Sequence, residues 1–193
     1  MSAESSKIKR CIIPLFACDS EGGFGNKGKL PWPSLKNDLI HFWGMLEKEK
    51  NHTKVVIMGR KTYESLPKHK RPIKNVINVI ISSTMKQLNP PFIMKTGIYV
   101  FKSLGDTFEL IDKLRNENVS VYLIGGVMLI EELVLIYHDR FKEAVVTRVD
   151  GVFEADVKID IDIMKMLSVY RLDAYREYDV TYTIGRYHKE VNA

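Results

Sequence analysis

Six apolar runs of strand length, at residues 11–18, 54–58, 76–81, 97–101, 119–124 and 144–149, constrain the fold of this chain more than any other feature. They are rich in Val and Ile and continuous rather than alternating, as strands are when a sheet is covered on both faces. Between them, residues 35–46, 61–66, 104–115 and 127–137 carry apolar side chains at helical spacing. This alternation predicts an α/β fold, a three-layer sandwich around a mostly parallel central sheet. Two Tyr- and Thr-rich stretches, 169–177 and 179–189, flank a polar break and predict a C-terminal antiparallel hairpin at the sheet edge. Pro14 interrupts the first run, and a proline cannot donate to a ladder. That strand is expected to lie at an edge, to bulge, or to start later than its apolar run.

With 193 residues, 45% of them hydrophobic, the chain suits one well-packed domain, and residues 1–9 are expected to be a flexible N-terminus. The net charge of +5 comes from scattered lysines with no block of like charge, which favours small anions over a nucleic-acid face. Cys11 and Cys18 match no metal or redox spacing, so two reduced thiols and no metal are expected. No apolar stretch reaches the length of a membrane span. The expectation is a cytoplasmic monomer with neither a nucleic acid nor a membrane as partner.

The stretch GGFGNKGKLPWP, residues 22–33, matches both GxGxxG and GxxxxGK. Both motifs need a helix straight after the loop, so that its free N–H groups complete an anion site. Here Leu30, Pro31, Trp32 and Pro33 follow, and two prolines in three positions hold the chain extended. Leu30 also stands where a triphosphate loop needs a hydroxyl. Neither motif is expected to operate, and the glycines need another reason.

On the helix after Pro33, Leu35, Leu39, Phe42, Met45 and Leu46 form one stripe, and Asp38 falls inside it. A carboxylate there is costly unless paired or hydrogen-bonded. It either favours the helix start or meets a ligand offering two adjacent N–H donors. After the strand at 54–58 come Gly59, Arg60, Lys61 and Thr62, a glycine followed by two cations and a hydroxyl, which suits an anion. Gly125 and Gly126 follow the strand at 119–124 in the same way and allow close backbone approach. In a parallel sheet these features gather at the carboxyl ends of the strands, where such folds bind ligands.

In this order and spacing the pieces resemble the dihydrofolate reductase family, in its eukaryotic single-domain form. The stretches that carry the likeness are LFACDSEGGFGNKGKLPWPSLKNDLIHFWGML, VVIMGRKTYESLP, VINVIISS, VYLIGG and AVVTRV, about residues 11–150. The resemblance implies reduction of 7,8-dihydrofolate to tetrahydrofolate with NADPH, with hydride passing to pterin C6 and a proton to N5. It implies catalytic roles for Asp38, Trp32, Leu30 and Thr147, with Asp38 and Thr147 holding the ring N–H and 2-amino group of the pterin. Leu15, Phe16, Leu39, Phe42, Ser65, Leu66, Ile73 and Ile124 would line the substrate. Ala17, Phe24, Gly25, Lys27, Leu30, Gly59, Arg60, Lys61, Thr62, Ser82, Ser83, Lys102, Ile124, Gly125, Gly126, Val127 and Met128 would hold the cofactor. The residue 22–33 loop would close over the nicotinamide.

The chain departs from the family pattern at Val76, where an arginine clamps the carboxylate of the substrate's glutamate tail. Lys36, Lys74 or Arg71 could replace it. Otherwise the substrate is a pteridine lacking that tail, or the protein is a non-catalytic pterin and NADPH binder. Ile130, the segment Asp156, Val157 and Lys158, and Pro14 are further departures.

Overall fold

The computed structural model describes residues 9–47, 52–85, 97–114 and 118–189. Residues 1–8 of the expected flexible start, and position 115 at the end of the third expected helix, lie outside them. In chain order the elements are β1 (Ile13–Asp19), β2 (Gly23–Gly25), α1 (Lys36–Glu47), β3 (Thr53–Gly59), α2 (Arg60–Ser65), β4 (Ile77–Ile81) and β5 (Gly97–Phe101). There follow α3 (Phe108–Asp112), β6 (Val119–Leu123), α4 (Val127–Leu135), β7 (Glu143–Val149), β8 (Val157–Lys158), α5 (Asp162–Lys165), β9 (Leu167–Glu177) and β10 (Val180–Lys189). The α/β sandwich expected from the apolar runs is present, with an eight-stranded central sheet in the order β5-β4-β3-β6-β1-β7-β10-β9. Pairing is parallel from β5 to β7. It is antiparallel for β10 and the edge strand β9, the expected hairpin.

Continuous apolar strands bury alternate residues in two cores. On β1 and β3, Phe16, Cys18, Val55 and Ile57 enter one, with Val127, Ile130 and Leu133 of α4 and Ile111 of α3. Leu15, Val56 and Met58 enter the other, with Trp32, Leu35 and Leu46. Ile130, one of the departures, is fully buried in the first of these cores.

Pro14 marks the point where the sheet opens. β1 pairs with β6 only through Ile13 and Pro14, and pairs with β7 from Leu15 to Asp19. The strand starts at Ile13, later than its apolar run, and lies at the centre of the sheet rather than its edge. Beyond Pro14, Leu15 to Ala17 and Ile124 to Gly126 follow diverging strand ends. The central sheet therefore splits at the carboxyl ends of β1 and β6, as it does at a topological switch point.

Three details differ from the sequence expectation. The third helix is a 3-10 turn at Gly105–Thr107 followed by a short α3, its entry held by reciprocal bonds between Ser103 and Asp106 at 3.1 and 3.2 Å. The residue 22–33 segment forms β2 and a turn closed by Asn26 and Lys29, and β2 pairs with β8 in a second, two-stranded sheet. In α1 only Leu46 is buried; Phe42 and Met45 are half-buried, and Leu39 is 37% exposed. The expected stripe is therefore only partly buried: Leu39 lies with Ile40 and Trp43 on the exposed side of the helix.

Candidate active site

Asp38 lies in the first turn of α1 and Thr147 in the middle of β7, 109 residues later, and the Thr147 hydroxyl donates to Asp38 Oδ1 at 2.6 Å. The pairing of Ala17 with Thr147 sets this hydroxyl beside the opened end of β1. Burial pushes the Asp38 carboxyl above its ordinary range, the Thr147 bond pulls it down, and the charge of Glu177 pushes it up again. Asp38 Oδ2 is left for other donors, and the indole Nε1 of Trp32, 4% exposed, has no hydrogen-bond partner among the described residues.

Helix α1 is held in place by a residue that sequence reasoning missed. Glu177, at the end of β9, accepts the backbone N–H groups of Lys36 at 2.7 Å and Asn37 at 3.0 Å, and the Asn37 side-chain amide at 2.7 Å. Its carboxylate supplies the cap that is one of the two readings of Asp38, which bonds to Thr147 instead. Tyr182 also donates to Glu177, and these bonds hold the Glu177 carboxyl below its ordinary range. Nothing local in the sequence marks Glu177; the contact spans 140 residues.

The glycine features converge on one cradle. Gly59 N donates to Gly125 O at 2.8 Å, and a Cβ on Gly59 would lie 3.5 Å from Gly126 N. Gly125 has φ +132°, and a Cβ on it would lie 3.0 Å from Thr62 Oγ1 and 3.8 Å from the Phe24 ring. Only glycine fits there, for the left-handed backbone and for lack of space. Phe24 in turn stacks on Phe16 at 6.2 Å. The structure thus brings Gly59, Thr62, Gly125, Gly126, Phe24 and Phe16 to the opened end of the sheet, with Ile124 and Val127 buried beside them.

Other expected residues stand further out. Arg60, Lys61, Ser83 and Lys102 are exposed cations and a hydroxyl near the ends of β3, β4 and β5, and Arg60 forms an i,i+4 pair with Glu64 at 3.7 Å. Ser82 is buried, and its hydroxyl caps a turn by accepting Thr84 N and Met85 N. Ser65 is exposed and donates to Thr62 O, Met128 is 81% exposed, and Lys27 donates its N–H to Asp156. Leu30 is 45% exposed and follows the half-buried Gly25 on the same loop; Leu66 is half-buried and Ile73 fully buried. The departure at 156–158 is accounted for: it forms β8 and ties down the loop.

Val76 is 1% exposed and packs in the core, so it offers no charge to a ligand. Leu39, Ile40, Trp43, Lys36, Lys70 and Tyr178 line a groove of about 640 Å³ on the outer face of α1. Lys70 lies 4.5 Å above the Trp43 ring and pairs with Glu47 at 3.1 Å. Arg71 lies over Tyr63 at 5.8 Å, and Lys74 is exposed outside the groove.

The family model for dihydrofolate reductase matches residues 11–186. The chain belongs to the dihydrofolate reductase family. It is 33% identical to the dihydrofolate reductase of Bos taurus over 189 residues, covering 93% of this chain and 96% of the relative. It is 34% identical to the viral dihydrofolate reductase of Saimiriine herpesvirus 2 (strain 488), covering 96% and 86%. With that of Gallus gallus the identity is 33%, covering 95% and 99%. The enzyme reduces dihydrofolate to tetrahydrofolate with a nicotinamide cofactor. Among the described residues no helix is long and apolar enough to cross a membrane.

Proposed function

We propose that the enzyme uses NADPH, binds it along the cradle of Gly59, Thr62, Gly125 and Gly126, and orients dihydrofolate through Asp38 and Thr147. The observation that carries this reading is the Thr147 hydroxyl donating to Asp38 at the point where the central sheet opens. The pterin ring N–H and its 2-amino group are adjacent donors, and the free oxygen of Asp38 together with Thr147 Oγ1 meets both. Trp32 fits as the donor that holds a water beside Asp38, because its buried Nε1 has no protein partner among the described residues.

The residues of the cradle fit a dinucleotide. Gly125, whose left-handed backbone and close Thr62 exclude a side chain, lets backbone approach a pyrophosphate, and α4 starts directly after Gly126 with its free N–H groups. Arg60, Lys61, Ser83 and Lys102 supply the positive, exposed rim that a 2′-phosphate requires, which favours NADPH over NADH. When bound, the reduced nicotinamide supplies the hydride. The protein aligns the pterin against it, and Phe24, Phe16 and Ile124 keep bulk water from the reacting carbon. Asp38 does not reach N5; its charge favours the protonated pterin, and the proton enters as water near the exposed Leu30. Both cysteines are free, and burial pushes the Cys18 thiol up to about 11, so it is not a ready nucleophile.

The buried Val76 favours a second reading, in which the preferred substrate is a dihydropterin without a glutamate tail. Loss of absorbance as the cofactor is oxidised tests both. Turnover of dihydrofolate with NADPH far above that with NADH supports the first reading. Activity on a tail-less dihydropterin alone establishes the second, and equal rates with both cofactors refute the choice of NADPH.

A further inference from the structure

Asp19 ends β1, is 1% exposed, and has no part in the ligand contacts assigned above. Its carboxylate is the meeting point of three segments. Oδ1 accepts the backbone N–H groups of Glu21 at 2.9 Å and Gly23 at 2.7 Å, and Oδ2 accepts that of Phe153 at 2.9 Å. A Cβ on Gly23 would lie 2.3 Å from Asp19 Oδ2, so the loop closes directly onto the carboxylate. The Gly23 N–H is buried and would otherwise lack a partner, and bonds to a carboxylate are about twice as strong as neutral ones.

Two of these segments carry aromatic side chains that face the proposed site. The β2 segment carries Phe24, against Phe16 and the Gly125 cradle. The connection from β7 to β8 carries Phe153, which meets the Trp32 ring edge-on at 5.9 Å. Further bonds, from Asp156 N to Gly25 O and from Ile159 N to Gly22 O, continue the same seam outward. We propose that Asp19 is a positioning residue for hydride transfer, a latch whose two carboxylate oxygens join β2 to the β7–β8 connection and so set the separation of the Phe24 and Trp32 walls. The inference rests on the placement of the cofactor at the Gly125 cradle.

Asp19→Asn separates the two limbs. The amide oxygen still accepts from Glu21 and Gly23, whereas the amide nitrogen faces the Phe153 N–H, donor against donor. In the free protein, hydrogen exchange at Phe153 and β8 should accelerate while exchange at Gly23 changes little. Single-turnover hydride transfer should slow at least about tenfold, with the isotope effect from a deuterated nicotinamide expressed more fully in kcat. Gly23→Ala displaces the same carboxylate and should reproduce both signatures, and the double variant should be no slower than the worse single one. Asp112→Asn is the control for stability alone. It breaks the fork between Asp112 and Arg140 (2.7 and 2.8 Å), at the amino ends of the strands, and should lower Tm without changing hydride transfer.

A folded Asp19→Asn variant that keeps the wild-type hydride rate and isotope effect overturns the proposal, as does a loss of Tm alone like that of the control. Should Asp19→Asn fail to fold, wild-type kinetics in Gly23→Ala overturn it. Exchange in the free protein needs no cofactor, so accelerated Phe153 exchange with cofactor bound elsewhere refutes the cradle assignment and leaves the latch standing.

Discussion

Thr147 and Asp38 are 109 residues apart in the chain and 2.6 Å apart in the fold. Removing the hydroxyl leaves the half-buried Asp38 with one fewer donor. A hydrogen bond to a charged group contributes about 1.5–3 kcal/mol. Thr147→Val should therefore lower kcat/KM for dihydrofolate by about 10- to 100-fold, with wild-type circular dichroism. Asp38→Asn removes the charge itself and should cost about 10²- to 10³-fold in kcat. Single-turnover kinetics at neutral pH check both.

Asp38 and Glu177 should shift stability with pH in opposite senses. The raised Asp38 carboxyl means the fold disfavours its ionised form. That cost is absent below the ordinary value of 3.8, grows as pH rises through the raised folded value, and is complete above it. Asp38→Asn should thus raise Tm at neutral pH and leave it unchanged in acid. Glu177 is lowered, so its contribution is present above the ordinary 4.5 and is lost as pH falls through the folded value. Glu177→Gln should lower Tm at neutral pH, and the difference should vanish in acid. Thermal melts of the three proteins across pH read both signs.

The groove on the outer face of α1 carries Lys70 and Lys36 as cations. Lys70→Met should raise KM for dihydrofolate about fivefold, in line with about 1 kcal/mol for a half-exposed ion pair. Its kcat, and its kinetics with a tail-less dihydropterin, should not change. Equal effects on both substrates would remove Lys70 from the binding of the tail.

Gly125 has φ +132° and no room for a side chain beside Thr62. Gly125→Ala should strain the cradle by about 1–3 kcal/mol and weaken NADPH binding by at least about fivefold. Titration of tryptophan fluorescence with NADPH measures it.

The alternation of continuous apolar runs with helical stripes determined the layers, because burial on two faces leaves a signature in each short segment. The same holds for Asp38, conspicuous as a carboxylate among Leu39, Phe42 and Met45, and for the glycines at strand ends, whose lack of a Cβ is itself the signal. The LPWP loop was legible as not being a phosphate loop, since prolines act on their immediate neighbours. What each polar group bonds to was decided only by the fold. Glu177 caps α1 from 140 residues away, and Asp19 collects N–H groups from Gly23, four residues on, and from Phe153, 134 residues on. Pro14 looked like a defect in a strand and became the point where the sheet parts, because β6 pairs with β1 only up to it. Periodicity and backbone preference are local and are written in the order of residues; hydrogen-bond partners are chosen by which strand ends the sheet order brings together.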